Sequence, residues 1–242
     1  MLQPTLALNI RQPFKLLPMS GLSQSEEDYI KAIFRIYEKT GTTVSTNAIA
    51  NHVRTTAASV TDMIKRLAEK GLINYEKYKG VSLNSKGNII ATQLVRRNRL
   101  WKVFMVEKLN FKWDEIQEAA DALEHIYSEK LINEMDQFLD FPKYDPHGDP
   151  IPDRNGKYIL RSRFPLSDVQ LNKPVSVIGI LNNSPSFLQY LDSQNIAIGT
   201  QVILKQKFEF DKSFLLTINR SEKNISYEVA KNILVKYAHR LE

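Results

Sequence analysis

The sequence predicts a mainly α-helical protein that ends in a β-rich domain, with a helix-turn-helix and a hairpin wing near its start. Three observations predict it. Apolar residues recur at helical spacing from Leu22 to Leu139. Two short helical patterns joined by a tight polar turn are followed by a hairpin pattern. From about Leu166 the periodicity changes to short alternating runs separated by turn residues.

The first helix, Leu22–Lys39, opens with Ser23 and Glu26 spaced as a capping box and carries Ile30, Ile33, Phe34 and Tyr37 inward. Thr40-Gly41 closes it. A short helix Asn47–Val53 turns inward Ile49, Ala50 and Val53; Arg54-Thr55-Thr56 is the turn. A second short helix, Ala57–Lys70, places Val60, Ile64 and Leu67 on one face and stops at Gly71. Leu72–Tyr78, Lys79-Gly80 and Val81-Ser82-Leu83 then read as strand, turn and strand. Ser85 caps a long helix to about Leu109, and Trp113–Tyr127 and Ser128–Leu139 follow as two more. FPKYDPHGDPIPDRNGKY is dense in Pro, Gly and Asp, a linker or ordered loop. The runs VSVIGI, TQVILKQKF, SFLLTI and AKNILVKY build a small β-barrel. The expected segments are a flexible extension over 1–21, a winged helix-turn-helix over 22–84, a helical domain over 85–140, a linker or loop over 141–165 and the β domain over 166–242.

At 242 residues the chain suits two or three small domains. The absence of cysteine excludes disulfides, thiolate nucleophiles and zinc knuckles, so any metal is held by oxygen and imidazole nitrogen. No apolar run reaches the length of a membrane span, and the prolines among the first twenty residues break any signal-peptide core. A cytoplasmic protein with no membrane partner is expected. The net charge of +6 is unevenly spread. Lys77, Lys79, Lys86, Arg96, Arg97, Arg99 and Lys102 lie in a stretch without acids, whereas Asp114–Asp140 is strongly acidic. That contrast suggests one surface for a polyanion and another for a cation, although solvated helix faces give the same pattern.

In the Trp113–Tyr127 helix, Ile116, Ala120, Leu123 and Tyr127 form an apolar stripe. Asp121, Glu124 and His125 fall on an arc beside it, at i, i+3 and i+4, where two carboxylates and an imidazole can converge on one divalent ion. An acidic, solvated helix face has the same spacing, so the spacing alone leaves both readings open.

SEEDYIKAIFRIY, TTAASVTDMIKRLAEKGLI, the wing YEKYKGVSLNSKG, RRNRLWKVF, DALEHIYSE and PHGDPIP together resemble the diphtheria-toxin-repressor and manganese-transport-regulator family, from about Leu22 to the C-terminus. The resemblance implies a homodimer of subunits with a winged helix-turn-helix, a helical dimerisation domain and an SH3-like domain. It implies a metal-dependent repressor, not an enzyme, that binds a double-stranded DNA operator. By motif, the main metal ligands are Asp28 on the first helix with Asp121, Glu124 and His125; Asp145 and His147 of the PHG segment are ancillary candidates.

The chain also departs from the family pattern. Asn98 stands where a histidine ligand is usual, Lys102 where a Glu is common, and Gln117 where iron-type members have a His. Lys31 takes the place of a Glu of the manganese-type dinuclear site, and its ammonium repels a second cation at close range. For DNA, the polar face of the second short helix offers Thr56, Ala58, Ser59, Thr61, Asp62, Lys65 and Arg66, with Tyr78 and Lys79 on the wing. The oxygen and nitrogen ligand set leans towards Mn2+, with Fe2+ next. Two other classes compete: a metallohydrolase, which needs an open coordination position and a poised base, and a winged-helix regulator indifferent to metal, whose DNA binding a chelator leaves intact.

Overall fold

The computed structural model describes residues 21–76 and 79–238. Most of the expected extension over 1–21, and Lys77 and Tyr78 of the wing, lie outside the described residues. The chain forms two compact units, one containing residues up to Asn98 with Glu124–Asn133 and Pro152–Lys157, the other Arg99–Leu123, Glu134–Ile151 and the chain from Tyr158 onward. These units divide the chain differently from the expected segments 22–84 and 85–140.

In the first unit, α1 spans Gln24–Thr40, α2 Thr46–Val53 and α3 Ala57–Glu69. Each begins where a side-chain oxygen satisfies an otherwise orphaned backbone N–H. Ser23 and Glu26 form the full capping box on α1, Ser45 Oγ accepts from Ala48, and Thr56 Oγ1 accepts from Ser59. Gly41, at φ 69°, closes α1 in the left-handed conformation that glycine adopts without penalty. Ile30, Ile33, Phe34, Ile49, Val60, Ile64 and Leu67 are buried, as the helical spacing predicts. The wing pairs β1 (Ile73–Glu76) with β2 (Gly80–Leu83) antiparallel, and Val44 bridges to Val81 beside them.

The wing is fastened to the helix that follows, α4 (Ser85–Leu109). Asn84 donates from its backbone to the Leu72 carbonyl and from Nδ2 to the Gly71 carbonyl, 2.7 Å away. Gly87 on the first turn of α4 lies so close to the Leu72 carbonyl that any β-carbon would collide with it. Further along α4, every residue from Ala91 to Leu100 is buried. A helix surrounded in this way carries no single apolar stripe.

In the second unit, α5 covers Ile116–Leu123, and Met105, Ile116 and Ala120 share a small core. The helix expected over Trp113–Tyr127 is therefore shorter at both ends. Residues 124–125 form a turn, and 126–128 belong to no helix or strand before α6 (Glu129–Phe138). The cause lies within the first unit: Arg97 Nε donates to the Glu124 carbonyl at 2.6 Å and captures an acceptor that a continuing helix would use.

The C-terminal domain is a six-stranded antiparallel sheet. In chain order its elements are β3 (Phe164–Pro165), a 3-10 turn over Leu166–Asp168, β4 (Pro174–Ile180), α7 (Pro185–Ser193), β5 (Gln201–Lys207), β6 (Phe214–Ile218), β7 (Ser221–Ile225), α8 (Tyr227–Ala230) and β8 (Ile233–Tyr237). The strand order is β3-β8-β4-β5-β6-β7. Inward residues alternate along the strands, and Val175, Val177, Val202, Leu204, Leu216, Ile218, Ile233 and Val235 meet in one core. This is the SH3-like domain that the resemblance implies. The two helices within it are not expected from the β-rich pattern; α7 starts at Pro185, whose fixed φ suits a first helical turn.

Candidate metal centre and DNA-reading face

Glu27 and Asp28 both lie in the second turn of α1 or its approach, and Lys31 follows at i+4 and i+3 from them, so one side of the helix presents all three. Opposite them in sequence, the turn after α5 supplies Glu124 and His125. Asp28, Glu124 and His125 each offer one ligand atom, and these atoms lie within 4.8 Å of one another. His125 Nε2 is 3.4 Å from Asp28 Oδ1 and 3.9 Å from Glu124 Oε1. Its other ring nitrogen, Nδ1, is 2.6 Å from Glu27 Oε2.

That contact orients the imidazole. A carboxylate accepting from Nδ1–H leaves the Nε2 lone pair facing the other two ligand atoms, the arrangement found around metal-bound histidines. Glu27 is almost fully buried, and burial holds its carboxyl above the ordinary range; the hydrogen bond and charge of His125, and the Arg97 charge, act the other way. Arg97 is itself pushed below its usual value by burial, against the pull of Glu27 and Glu124. It also stacks over Tyr127, with its guanidinium carbon 5.1 Å from the ring centre. Lys31 Nζ lies 2.5 Å from Glu124 Oε1, with Glu124 completely buried.

The donor set fits a hard or borderline divalent cation: two carboxylates and one oriented imidazole, with no sulfur. Asp121 is not one of the three grouped residues. It lies on α5, where Gln117 Nε2 donates to its Oδ2 at 2.8 Å. With α5 ending at Leu123, the i, i+3, i+4 arc along one helix is also not the geometry that unites Glu124 and His125 with Asp28. Glu27 is the residue the sequence reading omits. Its signal is its register, since it stands at i−3 and i−7 from Ile30 and Phe34, on the buried side of α1.

The other candidates are engaged otherwise. Asn98 is fully buried, and its Oδ1 accepts from Arg35 at 3.0 Å. Asp145 Oδ1 accepts from the backbone N–H groups of His147 and Asp149 at 3.0 and 2.9 Å, and its Oδ2 is 3.7 Å from Lys102 Nζ. His147 Nε2 donates to the Trp113 carbonyl at 2.8 Å. Within this second unit, Lys102 stands as the cation beside Asp145.

On α3, Thr56, Ala58, Ser59, Asp62, Lys65 and Arg66 are exposed and Thr61 is half-buried. The hydroxyls of Thr56 and Ser59 lie 3.0 Å apart, and Thr61 Oγ1 donates to the Ala57 carbonyl. Asp62 pairs with Lys65 at 3.7 Å, which fits an orienting role for that carboxylate. Lys79 is exposed on the wing beside Glu76; Tyr78 lies outside the described residues. The basic stretch does not form one polyanion surface: Arg96, Arg97, Arg99 and Lys102 are buried and hold internal partners. Each of these charges lies inside together with an acceptor that offsets its burial.

Comparison with known proteins places these parts in order. The N-terminal DNA-binding domain of iron-dependent repressors matches residues 21–81, their metal-binding and dimerisation domain residues 84–153, and the FeoA domain residues 164–237. An HTH-type transcriptional regulator, MntR, of Oceanobacillus iheyensis is 32% identical over 121 residues, half of this chain and 81% of its own length. The chain belongs to the iron-dependent repressor family. It is a metal-dependent transcriptional regulator that binds DNA, and not an enzyme. Another relative in this family, an uncharacterised HTH-type regulator of Methanocaldococcus jannaschii, is 30% identical over 49% of this chain and 95% of its own. A solved manganese-dependent transcriptional repressor in complex with manganese superposes with a TM-score of 0.81 at 30% identity, covering 88% of this chain and all of that one. Among the described residues, no helix is long and apolar enough to cross a membrane.

Proposed function

We propose that this chain is a Mn2+-activated repressor of metal-uptake genes, with Fe2+ as the alternative ion, and that it reads a double-stranded operator as a homodimer. The observation that carries the reading is the convergence of Asp28, Glu124 and His125, with His125 oriented from behind by Glu27. These three residues would hold the ion. When bound, it supplies positive charge that offsets two carboxylates crowded at one place. Asp28 belongs to α1, which packs on α2 and α3, so fixing Asp28 steadies the helices that present Thr56, Ser59, Lys65 and Arg66. Linkage makes metal and DNA raise each other's affinity. Basic side chains on α3 and the wing hold phosphates while the hydroxyls near the start of α3 approach base edges.

Mn2+ is supported by the all-oxygen and nitrogen donor set and by the manganese-dependent neighbour; Fe2+ is supported by the matched family. The homodimer is supported by the matched dimerisation domain and by apolar side chains left exposed after α5, Tyr127 and Leu131 among them. The test is a titration of operator binding against Mn2+, Fe2+, Co2+ and Zn2+ with chelator controls, at known oligomeric state. Mn2+-dependent binding by a dimer is expected. Operator binding that a chelator leaves unchanged would overturn the reading and favour a regulator indifferent to metal.

A further inference from the structure

We propose that Lys31 is a built-in competitor of the metal, and that its hold on Glu124 sets the cation concentration at which this regulator responds. The inference rests on the reading of Asp28, Glu124 and His125 as ligands, and adds a residue that opposes them. Lys31 Nζ lies 2.5 Å from Glu124 Oε1, with the side chains 9% and 0% exposed. That oxygen is the one measured 3.9 Å from His125 Nε2, so the ammonium occupies the carboxylate edge that faces the imidazole. Lys31 also follows Asp28 by three residues on α1, which points both side chains the same way.

Two consequences follow from charge and burial. In the metal-free protein the ammonium compensates a carboxylate that is otherwise costly to bury, so the pair stabilises the site without a metal. A cation arriving at the same carboxylate meets a like charge at close range and must take Glu124 from it or share it. The protein thus exchanges one cation for another, and the tethered one is always present. A site of this kind binds more weakly than its donors alone would allow and responds at a higher metal concentration.

The experiment compares Mn2+ affinity, by calorimetry on full-length protein, for wild type, Lys31→Met, Lys31→Gln, Lys31→Arg and His125→Ala, alongside thermal melts with and without Mn2+. Lys31→Met and Lys31→Gln are expected to bind Mn2+ tighter by roughly 10–100-fold, the range over which groups behind the ligands tune affinity. Their metal-free melting temperatures fall, and Mn2+ raises them by more than it raises wild type. Lys31→Arg keeps the charge and stays near wild type. Glutamine retains a donor to Glu124, so the test survives if the methionine variant does not fold. Unchanged or weaker Mn2+ binding in Lys31→Gln overturns the competitor role. If His125→Ala also binds Mn2+ as wild type does, the ligand assignment itself has failed, and the two failures are told apart.

Discussion

Glu27 Oε2 and His125 Nδ1 stand 2.6 Å apart, ninety-eight positions apart in sequence, and that contact decides which imidazole nitrogen faces Asp28 and Glu124. Removing the carboxylate frees the ring to rotate or to take the other tautomer. Glu27→Ala is expected to lower Mn2+ affinity by about 10–100-fold, and Glu27→Gln, which keeps an acceptor, by less. Calorimetry on both variants measures this; wild-type affinity in Glu27→Ala would show that the contact does not position His125.

His125→Ala and Glu124→Gln are expected to abolish metal-dependent operator binding while leaving a folded protein. Glutamine is the better choice at 124, because Glu124→Ala breaks the buried ion pair with Lys31, and breaking such a pair costs up to about 3–5 kcal/mol. Circular dichroism and operator binding with and without Mn2+ check both parts, and wild-type activation in either variant counts against the ligand role.

Asp28 is half exposed, and an ionised carboxylate has no donor to offer a phosphate. Asp28→Asn should therefore weaken metal activation of operator binding by about 1–3 kcal/mol, a typical allosteric coupling, and leave the salt dependence of metal-free binding as it is. Lys65→Ala is the contrasting case: its salt slope should fall by about 0.9 for one lost phosphate contact. Equal loss of metal-free and metal-activated affinity in Asp28→Asn would remove Asp28 from the coupling.

One ion per subunit is expected at the α1 site. Lys31 occupies the Glu124 edge, and Asn98 Oδ1 is taken by Arg35, so neither supports a second cation. Anomalous scattering from Mn2+-loaded crystals decides it; two peaks about 4 Å apart, a dinuclear spacing, would contradict it.

His147 provides a pH prediction. Burial holds its imidazole below the ordinary histidine value, with the Lys102 charge acting the same way and Asp145, the Trp113 carbonyl and Asp149 opposing. As pH falls through about 6.5 the unfolded chain binds a proton that the folded one refuses, so its stabilising contribution is complete above that pH and is lost below it. Denaturant melts between pH 7.5 and 5 should show stability falling, with a shallower fall in His147→Gln. An equally steep fall in the variant would assign the dependence to other groups.

What was legible in the sequence is what local chemistry encodes. Ser23 with Glu26, and Gly41, announce the ends of α1 through contacts a few residues long, and the apolar spacing of Ile30, Ile33 and Phe34 announces the buried side. The end of α5 is different. Neither Gly nor Pro follows Leu123, and what captures the Glu124 carbonyl is Arg97, a distant residue in the chain. The same long-range packing internalises Arg96, Arg97, Arg99 and Lys102, whose run of positive charge reads as surface when neighbours along the chain are all one has. Helical spacing raised Glu124 and His125, and the family resemblance added Asp28 and set Lys31 beside them; only folding shows that the lysine is paired with Glu124 itself.

The junction at Gly87 has a mechanical meaning. Because the Leu72 carbonyl rests directly on the first turn of α4, and Asn84 is tied to both Gly71 and Leu72, the hairpin has no joint of its own at its base. A tilt at the beginning of α4 is a tilt of the hairpin, with the longer element as the lever arm. Gly87→Ala would insert a shim at that fulcrum and change the angle at which the hairpin leaves the helix, without altering a single charge.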